Sequence, residues 1–142
     1  MDVLAFRDYC LSLPLTEECT PFDETTLVYK VGGKMYAYAD MENFGRVAVK
    51  CDPDEAVSLR EEYPDVTPAW HSSKKHWNDI RTTGDLPDAF IRAQIRNSYL
   101  LVLRQNVVGH HVHDHAAVGD AGSFLGMGAQ LVFKQLHQHH VG

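Results

Sequence analysis

The sequence predicts an α+β fold: an antiparallel sheet of about five strands with helices packed on one face, in the order α-β-β-β-α-β-β-α. Three observations predict it. Apolar residues recur every three to four positions near both ends of the first hundred residues. Gly32-Gly33 separates two stretches of strand character. Asp52-Pro53 opens a second helical pattern. Strands joined by tight turns pair antiparallel. Helices with one apolar stripe bury it most simply against a common sheet face.

The elements follow in order. Asp2 is a helix N-cap, and Val3, Phe6, Cys10 and Leu13 form one apolar face before Pro14 stops the helix. Leu27, Tyr29 and Val31 alternate with Val28 and Lys30. Gly32-Gly33 supplies the two positive φ angles of a type I′ hairpin turn, and Lys34 to Ala39 returns. A polar loop, Asp40 to Asn43, leads to Arg46–Cys51. There Val47, Val49 and Cys51 face one way and Arg46, Ala48 and Lys50 the other. Residues 25–51 thus read as a three-stranded meander.

Asp52 as N-cap, Pro53 at the first helical position and Glu55 closing a capping box start the second helix. Ala56, Leu59 and Tyr63 are its buried stripe, and Pro64 ends it. Val66–Trp70 and Lys75–Arg81 read as a second hairpin around Ser72-Ser73-Lys74. The last helix begins near Asp85-Leu86-Pro87-Asp88, with Phe90, Ile91, Ile95, Tyr99 and Val102 inward. Leu13, Val47, Val49, Leu59, Ile91, Ile95 and Val102 are expected to be buried together.

Composition changes at Gly109. Seven of nine histidines fall beyond it, in a Gly-rich stretch. The expected organisation is a domain over 1–108 and a disordered or non-native tail over 109–142. His110, His111, His113, His115, His137, His139 and His140 would bind Zn²⁺, Ni²⁺ or Cu²⁺ adventitiously, without the fixed geometry of a specific site. Three cysteines without CxxC spacing suit a reducing cytoplasm. No apolar run approaches the roughly 20 residues that cross a bilayer, so no membrane partner is expected. The net charge of −6 counts against nonspecific coating of DNA, because phosphate contacts supply most of that affinity. A local basic patch on an acidic body remains compatible with it.

Six phrases carry a family resemblance: Tyr9-Cys10-Leu11-Ser12-Leu13-Pro14, Val31-Gly32-Gly33-Lys34-Met35-Tyr36-Ala37, Lys50-Cys51-Asp52-Pro53, Glu62-Tyr63-Pro64-Asp65-Val66-Thr67-Pro68, Lys74-Lys75-His76-Trp77 and Gly84-Asp85-Leu86-Pro87. In this order and spacing, residues 1–106 resemble the YjbR/MmcQ family. The resemblance implies a CyaY-like, double-wing fold in a small, cytosolic, mostly bacterial protein of a group usually described as DNA-binding. It implies no established activity, and it does not extend to the tail.

The richest cluster is Trp70-His71-Ser72-Ser73-Lys74-Lys75-His76-Trp77. Lys74 and Lys75 suit phosphates, and Trp70 or Trp77 suits stacking on an unpaired base. Lys34, Lys50, Arg46 and Arg81 would extend the patch. The competing reading makes Trp77 and Tyr63 core aromatics and the lysines a solvated hairpin tip. Lys34 also reads as edge-strand protection. Cys51 with His76 has the composition of a nucleophile–base pair, but Cys51 alternates with Val47 and Val49 as a small core residue does. The acidic residues around the second helix, Asp52, Asp54, Glu55, Glu61, Glu62 and Asp65, converge on no ligand set. No GxSxG, HExxH, P-loop or dinucleotide fingerprint occurs. The expectation is a non-enzymatic DNA- or other nucleic-acid-binding module without a cofactor. The alternative is a protein-interaction or small-ligand module.

Overall fold

The computed structural model describes residues 1–113, with side-chain surroundings through Asn106. The tail from 114 onward, including His115, His137, His139 and His140, lies outside the described residues. The elements are α1 (Val3–Ser12), β1 (Glu17–Cys19), β2 (Thr26–Val31), β3 (Lys34–Asp40), β4 (Arg46–Lys50), α2 (Pro53–Glu62), β5 (Val66–Pro68), β6 (Trp77–Arg81) and α3 (Asp88–His113). α3 continues through the boundary expected at residue 108, so His110, His111 and His113 belong to its last turns.

The sheet has six strands in the order β1-β2-β3-β4-β6-β5, and each neighbouring pair is antiparallel. The expected meander is β2-β3-β4. The expected hairpin is β5-β6, but β6 inserts beside β4 and leaves β5 at the edge. β4 and β5 are therefore parallel, joined by α2, with β6 running antiparallel between them.

Five strands were expected, and β1 is the sixth. Its three residues, Glu17-Glu18-Cys19, have no apolar alternation to announce a strand. Tertiary contacts hold it instead. Glu18 pairs with Arg7 on α1 at 2.8 Å and accepts the Tyr29 hydroxyl at 2.8 Å.

Local chemistry sets the element ends. The Asp2 carboxylate accepts the Ala5 N–H at 2.8 Å. Asp52 accepts the N–H groups of Asp54 and Glu55 at 3.2 and 3.4 Å, with Pro53 in the first turn. Glu55 thus meets its cap through its backbone. The return bond from its side chain, expected of a capping box, is not among the described hydrogen bonds.

Gly32 and Gly33 have φ of 60° and 79°. A Cβ on Gly32 would also run into the Asn106 amide, which donates to the Val31 carbonyl at 2.8 Å. Gly33 has open space around it. Gly32→Ala should therefore destabilise more than Gly33→Ala. The left-handed backbone alone costs about 1–2 kcal/mol at either position. Urea midpoints of the two variants check the order.

One apolar cluster joins the helices to the sheet. Phe6, Cys10 and Leu13 of α1 and its C-cap, and Ile91, Ile95, Tyr99, Val102 and Leu103 of α3, bury against Leu27, Tyr29, Val31, Ala37, Val47, Val49 and Ile80. The pairing shifts register between Tyr29 and Lys30, a β-bulge that brings both Tyr36 and Ala37 into this cluster. α2 differs from expectation. Ala56 alone of its residues is buried, while Leu59 and Tyr63 are partly buried against the cluster margin. α2 covers the short edge strand β5, so its stripe meets half a surface.

Candidate functional site

Strand alternation sends a second set of side chains to the face away from the helices. Ala48, Ala69 and Trp77 form a small buried cluster there, with Met35 and Tyr38 packed against it. The β5–β6 connection, residues 69–76, is tied to the sheet at several points. Ala69 N–H donates to the Trp77 carbonyl at 3.0 Å, and Ser73 O accepts the N–H groups of His76 and Trp77 at 3.2 and 2.9 Å. The hydroxyls of Tyr38 and Ser72 share a 2.5 Å hydrogen bond. Arg60 bridges from α2 to Asn78 Oδ1 at 2.7 Å and to the Lys74 carbonyl.

This arrangement splits the expected basic patch. Trp70 is 69% exposed, and Lys74 Nζ lies 5.7 Å from its ring centroid. Lys75 and His71 are exposed and His76 is partly buried. Trp77 is only 7% exposed and its ring packs 5.6 Å from that of Tyr38. It is a core residue, so the stacking role expected of either tryptophan is open to Trp70 alone. Lys34 is exposed beside the Gly-Gly turn. Lys50 pairs with Trp77 across the strands, and its Nζ donates to Gln105 on α3 at 2.9 Å. Partial burial and the neighbouring Lys34 charge lower the Lys50 pKa. Arg81 pairs with Arg46 at the other end of the same strands. Four residues of strand, about 13 Å, therefore separate the Lys50 end from the arginine end. The two groups do not form one continuous stripe.

A pocket of about 510 Å³ lies on this face. Its lining includes Phe22, Tyr38, Asn43, Arg46, His71 and Asp79. The sequence reading named Arg46 and His71 but missed Asp79. As one acidic residue in a strand it gave no local signal. It is 5% exposed, its Oδ2 accepts the Trp70 N–H at 3.2 Å, and Arg46 Nη1 lies 3.7 Å away. Burial pushes the Asp79 carboxyl above its ordinary range, opposed by the Trp70 N–H and the charges of Arg46 and His71.

That shift has a testable sign. A folded-state pKa raised above the unfolded value of 3.8 favours the protonated form. The stability it contributes is full below the unfolded pKa and lost as pH rises through the folded one. Asp79→Asn stays neutral throughout. Its stability relative to the parent should therefore rise between about pH 4 and pH 7, as urea midpoints at the two pH values would show.

The model of the family described as YjbR matches residues 11–101. The chain belongs to the YjbR family. It is 31% identical over 100 residues to the YjbR protein of Escherichia coli strain K12, covering 70% of this chain and 85% of that one. It is also 31% identical over 94 residues to the YbdF protein of Escherichia coli O157:H7, covering 66% and 77%. The crystal structure of Deinococcus radiodurans protein DR2400, a DUF419 domain, superposes with a TM-score of 0.69 at 36% identity, covering 73% of this chain and 80% of that one. A Pseudomonas syringae protein shares the fold at a TM-score of 0.62 and 24% identity, covering 72% and 99%. The names of these relatives state no ligand or activity.

In this YjbR domain Cys51 and His76 do come together, but through the backbone. Cys51 N–H donates to the His76 carbonyl at 2.7 Å. Burial and the nearby Glu55 and Asp52 charges push the Cys51 thiol up to about 11. A thiol held in that range is a poor nucleophile near neutral pH. Cys10, Cys19 and Cys51 are all free thiols. Among the described residues no helix is long and apolar enough to cross a membrane.

Proposed function

We propose that this YjbR domain is a non-catalytic module that binds nucleic acid, DNA in the first instance, through the loop 69–76, with a preference for single strands. The exposure of Trp70 carries the reading. A tryptophan that is 69% exposed, with Lys74 over its ring and the exposed Lys75 next in the chain, combines an aromatic platform with two cations on one short loop. Base–aromatic stacking requires an unpaired base, which a duplex does not offer. The net charge of −6 and the divided basic groups disfavour a long duplex footprint. Three free cysteines are in keeping with action in the cytoplasm.

The test is a salt titration of binding to labelled single-stranded DNA, duplex DNA and RNA, followed by fluorescence anisotropy. Single strands should bind most tightly, with affinity falling as salt rises. Absence of binding to all three at low salt would refute the reading.

A further inference from the structure

We propose that the pocket beneath the loop 69–76 is a receptor for a planar heterocycle presenting one acceptor beside two adjacent N–H donors, the edge that guanine carries. The inference goes beyond strand binding, because a free nucleoside offers the same edge.

A carboxylate taken out of water is costly unless donors satisfy it. Asp79 is 95% buried on 5% exposure, yet it lines a pocket large enough for a small ligand. The volume falls within the range of about 300–1,000 Å³ usual for such sites. Oδ2 holds the Trp70 N–H and faces Arg46 Nη1, while Oδ1 accepts none of the described hydrogen bonds. Each carboxylate oxygen has two lone pairs, so both can take further donors. The other two carboxylates in the lining differ in being solvent-exposed and in organising their own loops. Asp23 accepts from Thr25 and Thr26, and Asp40 accepts from Glu42 and Asn43.

Arg46 and Asp79 together present a donor followed by two acceptors. Guanine presents the complement: O6 as acceptor, then N1–H and the 2-amino group as donors. Hypoxanthine keeps O6 and N1–H but loses the second donor. Adenine offers an acceptor where the carboxylate needs a donor. Aromatic surface for a flat ring is at hand in Tyr38 and in Phe22, which is 66% exposed. Three carboxylates against one arginine make the lining unsuited to a phosphate. The chemistry therefore selects the base and leaves any phosphate outside, as in the recognition of splayed, unpaired bases by their Watson–Crick edges.

Titration calorimetry of the full chain with guanosine, inosine and adenosine tests the proposal. Guanosine should bind best, inosine about tenfold more weakly, and adenosine more weakly still, because a site built for an N–H leaves its own acceptor unpaired without it. Asp79→Asn should abolish the preference for guanosine over adenosine while keeping the cooperative unfolding transition. Arg46→Gln, on an exposed side chain, should weaken guanosine binding without loss of folding. Equal affinities for the three nucleosides, no binding of any, or an undiminished guanosine preference in Asp79→Asn would overturn it.

A second pair of probes separates the sources of the base. An oligothymidylate carrying one central guanine that binds more tightly than guanosine would identify a strand as the ligand. Guanosine binding without strand binding would identify a free nucleoside, and would refute the function proposed above while sustaining the pocket. Strand binding indifferent to the guanine, with no binding of guanosine, would do the reverse.

Discussion

Replacing Ile95 by alanine is expected to lower the unfolding free energy by about 2–5 kcal/mol. Ile95 is fully buried, at the centre of the cluster where α3 meets the sheet. The loss combines the transfer of its removed methyl and methylene groups with the cavity they leave. The site has little room to collapse. Tyr36 and Tyr99 stack edge-on at 5.2 Å on the same face, and both hydroxyls are anchored. Tyr99 donates to the Pro14 carbonyl at 2.6 Å, and Tyr36 donates to the Cys10 carbonyl at 3.2 Å. Ser98, next to Tyr99, donates to the Tyr36 carbonyl at 2.5 Å and accepts the Lys50 N–H at 2.8 Å. α3 is thus pinned to β3 and β4 and cannot slide into a void. Leu59→Ala is the control. Leu59 is only partly buried, so its loss should cost less, about 1–2 kcal/mol. Urea unfolding of both variants checks the ranking, and a Leu59 cost equal to that of Ile95 would mean α2 packs more tightly than its contacts indicate.

The double change Lys74→Ala with Lys75→Ala should lower the salt slope of log K for strand binding by about 1.4–1.8, if both ammonium groups displace condensed counterions. Trp70→Ala should act differently. Its loss should cost about 1–3 kcal/mol of binding with little change in slope, because stacking releases no counterion. All three side chains are exposed, so both variants should fold cooperatively with only a small fall in midpoint. The exposed Lys74–Trp70 contact adds little to stability, of the order of 0.5–1 kcal/mol. Anisotropy titrations at four or more salt concentrations separate the two contributions. An unchanged affinity and slope in the lysine variant would make the loop a structural feature only.

Much of the fold was legible because local signals agreed with the tertiary result. Asp2 and Asp52 cap where their side chains can reach free N–H groups. Gly32-Gly33 turns where two positive φ angles are needed. The α3 stripe from Ile91 to Val102 buries as its spacing requires. β1 was not legible, because Glu17-Glu18-Cys19 carries no apolar alternation and its Glu18 is held by Arg7 and Tyr29 from other elements. The candidate site was legible only in part. Trp70, Lys74 and Lys75 stand exposed on one loop, whereas Trp77, equally prominent in the sequence, faces Tyr38 and is buried.

The fold class, the family and the starts of the helices could be read locally, since each depends on spacing, turn chemistry or motifs within a few residues of one another, whereas the far end of α3 could not. Which charges share a surface depends on strand order. β6 inserts between β4 and β5, and that single topological choice sets Arg46 opposite Arg81 and Lys50 opposite Trp77. It also buries Asp79 beside Arg46, two residues 33 positions apart whose meeting no local pattern encodes. Burial and charge pairing depend on distances in space, and strand order alone sets those distances here.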